Sequence, residues 1–234
     1  TNESGFSGTW TLYMDTTAPA GASISVNGGA TYATSISVPL TLSASEASHM
    51  RFKNESGGNW SGYETYSTTK TWTLLNTQGT RTVYVQFKDL AGNETSGSTN
   101  DTIILDSVAP TNVSILANGG AAYTNTTSVT LTLGATGASQ MRFKNESGGT
   151  WSNYESYGTG KSWTLSNTQG TRTVYVQYKD LAGNETGGSN YDTIIFDSVP
   201  PSEPTLSMPA NGSYTNDTTP SFSWGPVSGA STYQ

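Results

Sequence analysis

Two stretches of eight residues are identical: Lys88–Thr95 and Lys179–Thr186 both read KDLAGNET. Each sets a lysine beside an aspartate and adds a glycine, an asparagine and a glutamate. Those side chains can do three kinds of work. A Lys–Asp pair can move a proton. Asp and Asn oxygens can hold a hard cation. An aspartate three residues before a glycine can also simply close a turn. The turn asks least, since Asp89 can accept from amides further along and Gly92 can take a positive φ. The cation asks for partners, because calcium takes six to eight oxygens from carboxylates, amides and main chain.

The rest of the chain weighs against catalysis. His49 is the one histidine, and Gln140 stands at its place in the second copy, so no repeated Ser-His-Asp set can be assembled. No phosphate-cradling glycine loop opens a helix. There is no cysteine, hence no disulfide, thiolate nucleophile or Cys-based metal site. Seventeen acidic residues against ten basic ones give a net charge of -7 and a pI near 4.5. A nucleic-acid partner is therefore not expected, since phosphate binding needs a basic footprint. No apolar run approaches the roughly 20 residues of a membrane helix, and export or anchoring signals are expected outside this segment. Membrane insertion is not expected in this segment.

What positions KDLAGNET is a repeat. Asp15, Asp106 and Asp197 open the phrases DTTAP, DSVAP and DSVPP at intervals of 91 residues. Residues 16–106 and 107–197 align without gaps, sharing MRFKNESGG, NTQGTRTVYVQ and KDLAGNET. That period is longer than a solenoid unit of roughly 20–50 residues and matches one small β-sandwich. The ends read as partial copies. Residues 1–15 are expected to carry the last strand of a preceding repeat (Gly8–Asp15), and 198–234 the start of a truncated third.

Inside each repeat apolar residues recur at every second position, the period of a strand. Val38, Leu40, Leu42, then Met50, Phe52, then Trp72, Leu74, then Val83, Val85, Phe87, and Ile103, Leu105 form the expected inward set of repeat 1. Repeat 2 offers Val129, Leu131, Leu133, then Met141, Phe143, then Trp163, Leu165, then Val174, Val176, Tyr178, and Ile194, Phe196. Ile24 and Ile115 are assigned to the first strands. Pro39 reads as an edge position or a bulge, because proline donates no ladder hydrogen bond. Lys53, Lys88, Lys144 and Lys179 fall on outward positions, which disfavours a covalent crosslink through a buried lysine.

From DTTAP through YVQFKDLAGNET to DTIILD the chain resembles the bacterial immunoglobulin-like (Big-type) tandem domains of large extracellular surface and adhesin proteins. The resemblance implies an all-β fold of tandem immunoglobulin-like antiparallel β-sandwiches arranged end to end. It implies a non-catalytic stalk or spacer at the cell surface, in a fibre, adhesin or surface-layer protein. Its partners are then neighbouring repeats of the same chain and other copies in a fibre. Some members of that family bind calcium through junction acids. On that geometry the loop before the last strand faces the preceding domain, where the preceding Asp arrives. Asp15, Asp89 and Asn93 then form one candidate calcium set, and Asp106, Asp180 and Asn184 a second.

Two further features compete with a pure spacer. WSGYETY and WSNYESY cluster aromatics, which cover a sandwich edge or stack on surface glycans. Trp60, Tyr63, Trp151 and Tyr154 are the candidates. Several Asn-x-Ser/Thr sequons, among them Asn54, Asn93, Asn145 and Asn184, make N-glycosylation a second expectation. A glycan-binding module and an accessory module of a secreted glycoside hydrolase are the alternative functions. Strand addition from the Gly8–Asp15 strand of another copy is one way in which the partial end domains would be completed.

Overall fold

The computed structural model describes residues 11–232. Repeat 1 folds as eight strands: β1 (Ala20–Val26), β2 (Tyr32–Ala33), β3 (Ser37–Ser45), β4 (His49–Asn54), β5 (Glu64–Thr65), β6 (Thr69–Thr73), β7 (Gly79–Lys88) and β8 (Thr99–Leu105). Repeat 2 repeats them as β9 (Thr111–Ala117), β10 (Tyr123–Thr124), β11 (Ser128–Thr136), β12 (Gln140–Asn145), β13 (Glu155–Ser156), β14 (Gly160–Thr164), β15 (Gly170–Lys179) and β16 (Asn190–Phe196). A last hairpin pairs β17 (Leu206–Met208) with β18 (Ser223–Trp224). By internal packing the chain forms two compact units. The first runs to Thr111 and takes in Gly137–Gln140 and Tyr178–Thr186; the second holds Asn112–Thr136, Met141–Gln177 and the chain from Gly187.

Each repeat is a two-sheet sandwich. In repeat 1 a three-stranded sheet (β1-β3-β6) packs on a five-stranded one (β2-β8-β7-β4-β5). The alternation explains why. Val38, Leu40, Leu42 and Ala44 of β3 are buried while the residues between them are exposed. Met50 and Phe52, Val83, Val85 and Phe87, and Ile103 and Leu105 close the same core from the opposite sheet. Trp72 is only half-buried and lies across Phe52, with ring centroids 5.3 Å apart. Ile24 is also half-buried, and Val26 holds the buried place on β1. In repeat 2 Ile115 and Ala117 are both buried.

Two features differ from expectation, and the first is the opening strand. It divides between the sheets: β1 pairs antiparallel with β3, whereas β2 pairs parallel with β8. The crossing is a tight turn at Asn27–Gly29, with Gly28 at φ 64°, where a residue without Cβ is unstrained. Asp101 secures it by reaching from β8, its Oδ2 accepting from the Val26 N–H at 2.8 Å. Asp192 does the same for Ala117 at 2.7 Å. The second difference is Pro39. It is not on an edge or in a bulge but in the central strand β3, opposite Thr71 of β6. The ladder with β1 ends at Leu40, so the side of Pro39 turned toward β1 has no strand partner to lose.

The strand expected at Gly8–Asp15 lies partly outside the described residues. Within them Thr11–Asp15 has no strand, and Leu12, Tyr13 and Met14 are exposed.

Candidate functional site

KDLAGNET is the β7–β8 loop, and the sequence builds it from one aspartate outward. Asp89 Oδ1 accepts from the amides of Gly92 (2.7 Å) and Asn93 (2.8 Å), while Oδ2 accepts from Asn93 Nδ2 at 2.9 Å. Gly92 turns the chain at φ 100°. Thr95 pins the return, its N–H donating to the Phe87 carbonyl and its Oγ1 accepting from the Phe87 N–H. Burial pushes the Asp89 carboxyl up. Donation from the Asn93 side chain and from the Asn93, Gly92 and Ala91 amides outweighs that and holds it below the usual carboxylate value.

The expected meeting with the preceding Asp takes place, with different atoms. Asn93 Nδ2 donates to the main-chain carbonyl of Asp15 at 3.1 Å. In repeat 2 Asn184 Nδ2 donates to the carbonyl of Asp106 at 2.9 Å. Asp180 holds Asn184 just as Asp89 holds Asn93. The Asp15 and Asp106 carboxylates instead turn onto their own chain, accepting from the amides of Thr17 (3.0 Å) and Val108 (3.2 Å).

This donor set does not fit calcium. A cation needs convergent oxygens, and the asparagine presents its amide nitrogen to the carbonyl while both Asp89 oxygens face N–H groups. Among the described residues no group of three or more His, Asp or Glu side chains could hold a metal. The loop geometry is that of a latch made of hydrogen bonds.

The aromatic candidates lie elsewhere, over the outer side of the five-stranded sheet. The Arg51 guanidinium sits 4.5 Å from the Tyr63 centroid and 5.2 Å from that of Trp60. It also donates from Nε and Nη2 to Gln86 Oε1 (2.8 and 2.6 Å) and lies 3.5 Å from Glu94. Lys88 stands 3.8 Å over Tyr63, and Lys53 lies 5.0 Å from both Trp60 and Tyr84. In repeat 2 Arg142 lies over Trp151 and Tyr154, and Lys144 over Trp151 and Tyr175. Each Trp also leans on a glycine: a Cβ at Gly97 or Gly188 would press on its six-membered ring. Burial first, and the neighbouring Glu94 carboxylate second, push the Tyr63 hydroxyl up to about 12. The faces of Trp60 and Tyr63 that could stack on a sugar are thus partly covered by cations.

Sequence reasoning missed two residue pairs that hold each repeat. One is Asp101 and Asp192. The other is Asn54 and Asn145, whose Oδ1 accepts from the indole N–H of Trp72 (2.8 Å) and Trp163 (2.7 Å). The Nδ2 of Asn54 and Asn145 donates to the Thr73 and Thr164 carbonyls. These asparagines were legible only as sequons, yet the nitrogen a glycan would take is engaged. The same holds for Asn93 and Asn184.

Solved structures similar to this chain are tandem modules. The Clostridium thermocellum CbhA fibronectin(III)-like modules share 14% identity over 75% of this chain and 95% of that chain, with a TM-score of 0.44. The chicken CNTN1 FN1-FN3 domains share 11% over 77% and 64%, with a TM-score of 0.43. The central fibronectin-III array of RIM-binding protein shares 12% over 86% and 71%, with a TM-score of 0.30. No family model and no curated protein matches the chain. Among the described residues no helix is long and apolar enough to cross a membrane.

Proposed function

We propose that this chain is a structural, non-catalytic spacer segment of an extracellular surface protein, built of Big-type immunoglobulin-like sandwiches. The observation that carries this reading is the recurrence of one latch. An Asp-held asparagine amide donates to the main chain of the preceding Asp-x-x-x-Pro link at both 93 and 184. The loop that carries ligands or catalytic groups in many sandwiches is here spent on its own chain. A spacer works through distance and stiffness, and each sandwich adds about 40 Å of reach, from strands of about seven residues plus loops. Proline in the links restricts φ and limits bending.

Small-angle scattering of the chain with Asn184→Ala tests it. The latch reading expects a longer-tailed distribution of molecular dimensions in the variant and an unchanged one in wild type between chelator and millimolar calcium. Calcium-dependent lengthening of the wild type would replace the latch by a metal. Identical scattering from variant and wild type would remove the latch as the source of stiffness.

A further inference from the structure

Folding makes the Asn-x-Ser/Thr sequons unequal. A sugar is transferred to the asparagine amide nitrogen, and the sequon also requires the hydroxyl that follows. A site that holds a sugar in the folded chain needs both groups unengaged. In the complete repeats most sequons fail that demand. The amides of Asn54, Asn93, Asn145 and Asn184 donate to main-chain carbonyls. Asn100 Nδ2 donates to the Ser98 carbonyl at 2.8 Å, and Asn112 Nδ2 to Thr136 Oγ1 at 3.3 Å. Asn59 is exposed, but its sequon hydroxyl is not available. Ser61 Oγ accepts from the Phe52 N–H at 3.0 Å and donates to the Gly62 carbonyl.

Asn125 differs. Its sequon, Asn125-Thr126-Thr127, forms the bend between β10 and β11. Threonines hold that bend, as they do in many turns. Thr124 Oγ1 accepts from the Thr126 N–H (3.3 Å) and donates to the Thr126 carbonyl (3.0 Å), and Thr126 Oγ1 donates to the Ser128 carbonyl (3.0 Å). The Thr124 carbonyl ties the bend to β16 by accepting from the Asp197 N–H at 2.9 Å. The Asp197 carboxylate turns away to the Val199 amide. The Asn125 side chain is exposed, and among the described residues neither it nor the Thr127 hydroxyl makes a hydrogen bond. Tyr123, 67% exposed, stands two residues before Asn125, on the same side in the alternation of a strand.

The arrangement recurs 91 residues on, between β17 and β18. Tyr214 is exposed, Thr215 Oγ1 accepts from the Asp217 N–H at 2.9 Å, and Asn216 and Thr218 have no hydrogen bond from their side chains among the described residues. Repeat 1 has Thr34 in place of Asn125 and no such site. Asn211 has Pro209 where the ring would stand.

We propose that Asn125 carries an N-linked glycan whose first sugar packs on the Tyr123 ring, with Asn216 and Tyr214 as a second site of the same kind. The donor is an oligosaccharide linked to a polyprenyl phosphate. Asn125 Nδ2 attacks the anomeric carbon. The new C–N bond forms as the bond from that carbon to the phosphate oxygen breaks, the lipid phosphate leaves, and an amide proton passes to a base of the transferring enzyme. Nothing is oxidised or reduced. Tyrosine suits the contact, because its ring is apolar and its hydroxyl stays wet. The proposal rests on the extracellular placement above, since such donors act on exported chains.

Mass spectrometry of the chain isolated from the cells that make it tests this, using electron-transfer fragmentation, which leaves sugars on their asparagines. Sugar is expected on Asn125 and Asn216, and none on Asn54, Asn93, Asn145 or Asn184. Thr127→Val keeps the side-chain shape without the hydroxyl and should clear Asn125 alone, while Thr127→Ser should keep it modified. The urea midpoint reads the ring. The glycosylated chain should exceed the same chain made without sugar, and Tyr123→Ala should shrink that difference. Unmodified chain recovered from the cell surface would overturn the proposal and leave the spacer reading standing. Unmodified chain confined to the cytoplasm would overturn both. Sugar on Asn145 of the folded chain would overturn the sorting of the sequons, and an equal midpoint difference in Tyr123→Ala would overturn the part given to the ring.

Discussion

Repeats 1 and 2 reach one fold by different local means, and the central strand of the small sheet shows how. At Pro39 repeat 1 has no N–H, and its Asn27 side chain turns to the Tyr32 carbonyl at 3.3 Å. Repeat 2 has Thr130 at that place, and its N–H donates to Asn118 Oδ1 at 2.9 Å. The asparagine is the same and its turn is the same, with positive φ in both copies. Its amide changes role according to whether a donor lies opposite. What does not change between the repeats is the latch, the Trp–Asn bond and most of the core, where Ala117, Tyr178 and Phe196 stand for Val26, Phe87 and Leu105. The difference separates what the fold requires from what it tolerates.

If the cores are equivalent, breaking them should cost the same. Phe52 and Phe143 are fully buried, each against a tryptophan. Phe52→Ala and Phe143→Ala should each remove about 3–5 kcal/mol from their own repeat. Urea denaturation followed by tryptophan fluorescence reads both. A gap between the two losses larger than about 1 kcal/mol, beyond the scatter expected of one chemistry at matched sites, would show that the cores relax differently.

A smaller effect depends on pH at the loop of repeat 1. The Asp89 carboxyl is held below its ordinary value, so its stabilising contribution is complete above the unfolded carboxyl's value near 4. It is lost as pH falls through the lower folded value. Urea midpoints from pH 7 down to 2.5 should fall on that limb. Asp89→Asn should be less stable than wild type at pH 7 and show a shallower acid slope. An unchanged slope in Asp89→Asn would assign the acid sensitivity to other carboxyls.

Much of this architecture was legible in the sequence, for reasons that also mark its limits. Alternation every second residue placed the core of β3, β4, β7 and β8, because strand period is a local property. Which strands lie beside one another is not local, and that is why Pro39 read as an edge residue. Asn27-Gly28-Gly29 was visible as a turn, but that the turn carries the chain from one sheet to the other depends on Asp101, 74 residues later. At the junction the sequence grouped Asp89, Asn93 and Asp15 as a candidate calcium set and left open which atoms meet. An asparagine offers both an oxygen and an NH2, and only the fixed Asp89 carboxylate decides that the NH2 points outward. The aromatic patch was legible as a cluster. The cations that cover it come from β4 and β7, whose nearness to the loop follows from sheet pairing.

The smallest expected effect bears most directly on the difference between the repeats. Thr130→Pro writes the repeat 1 solution into repeat 2. It removes the hydrogen bond to Asn118, a loss of about 0.5–1.5 kcal/mol. It also restricts the unfolded chain, a gain of about 0.4–1 kcal/mol where the ring fits, and Pro39 shows that this strand position accepts the ring. The net change should therefore stay below about 1 kcal/mol by urea denaturation. Pairing it with Asn118→Ala makes the measurement specific. In the wild type that substitution deletes the acceptor of a main-chain donor. In the proline background no donor remains, so its cost should shrink by the coupling between the two sites. An Asn118→Ala cost that is equal in both backgrounds would mean that Asn118 acts only through the turn. The two repeats would then differ at Pro39 without any compensation by the asparagine.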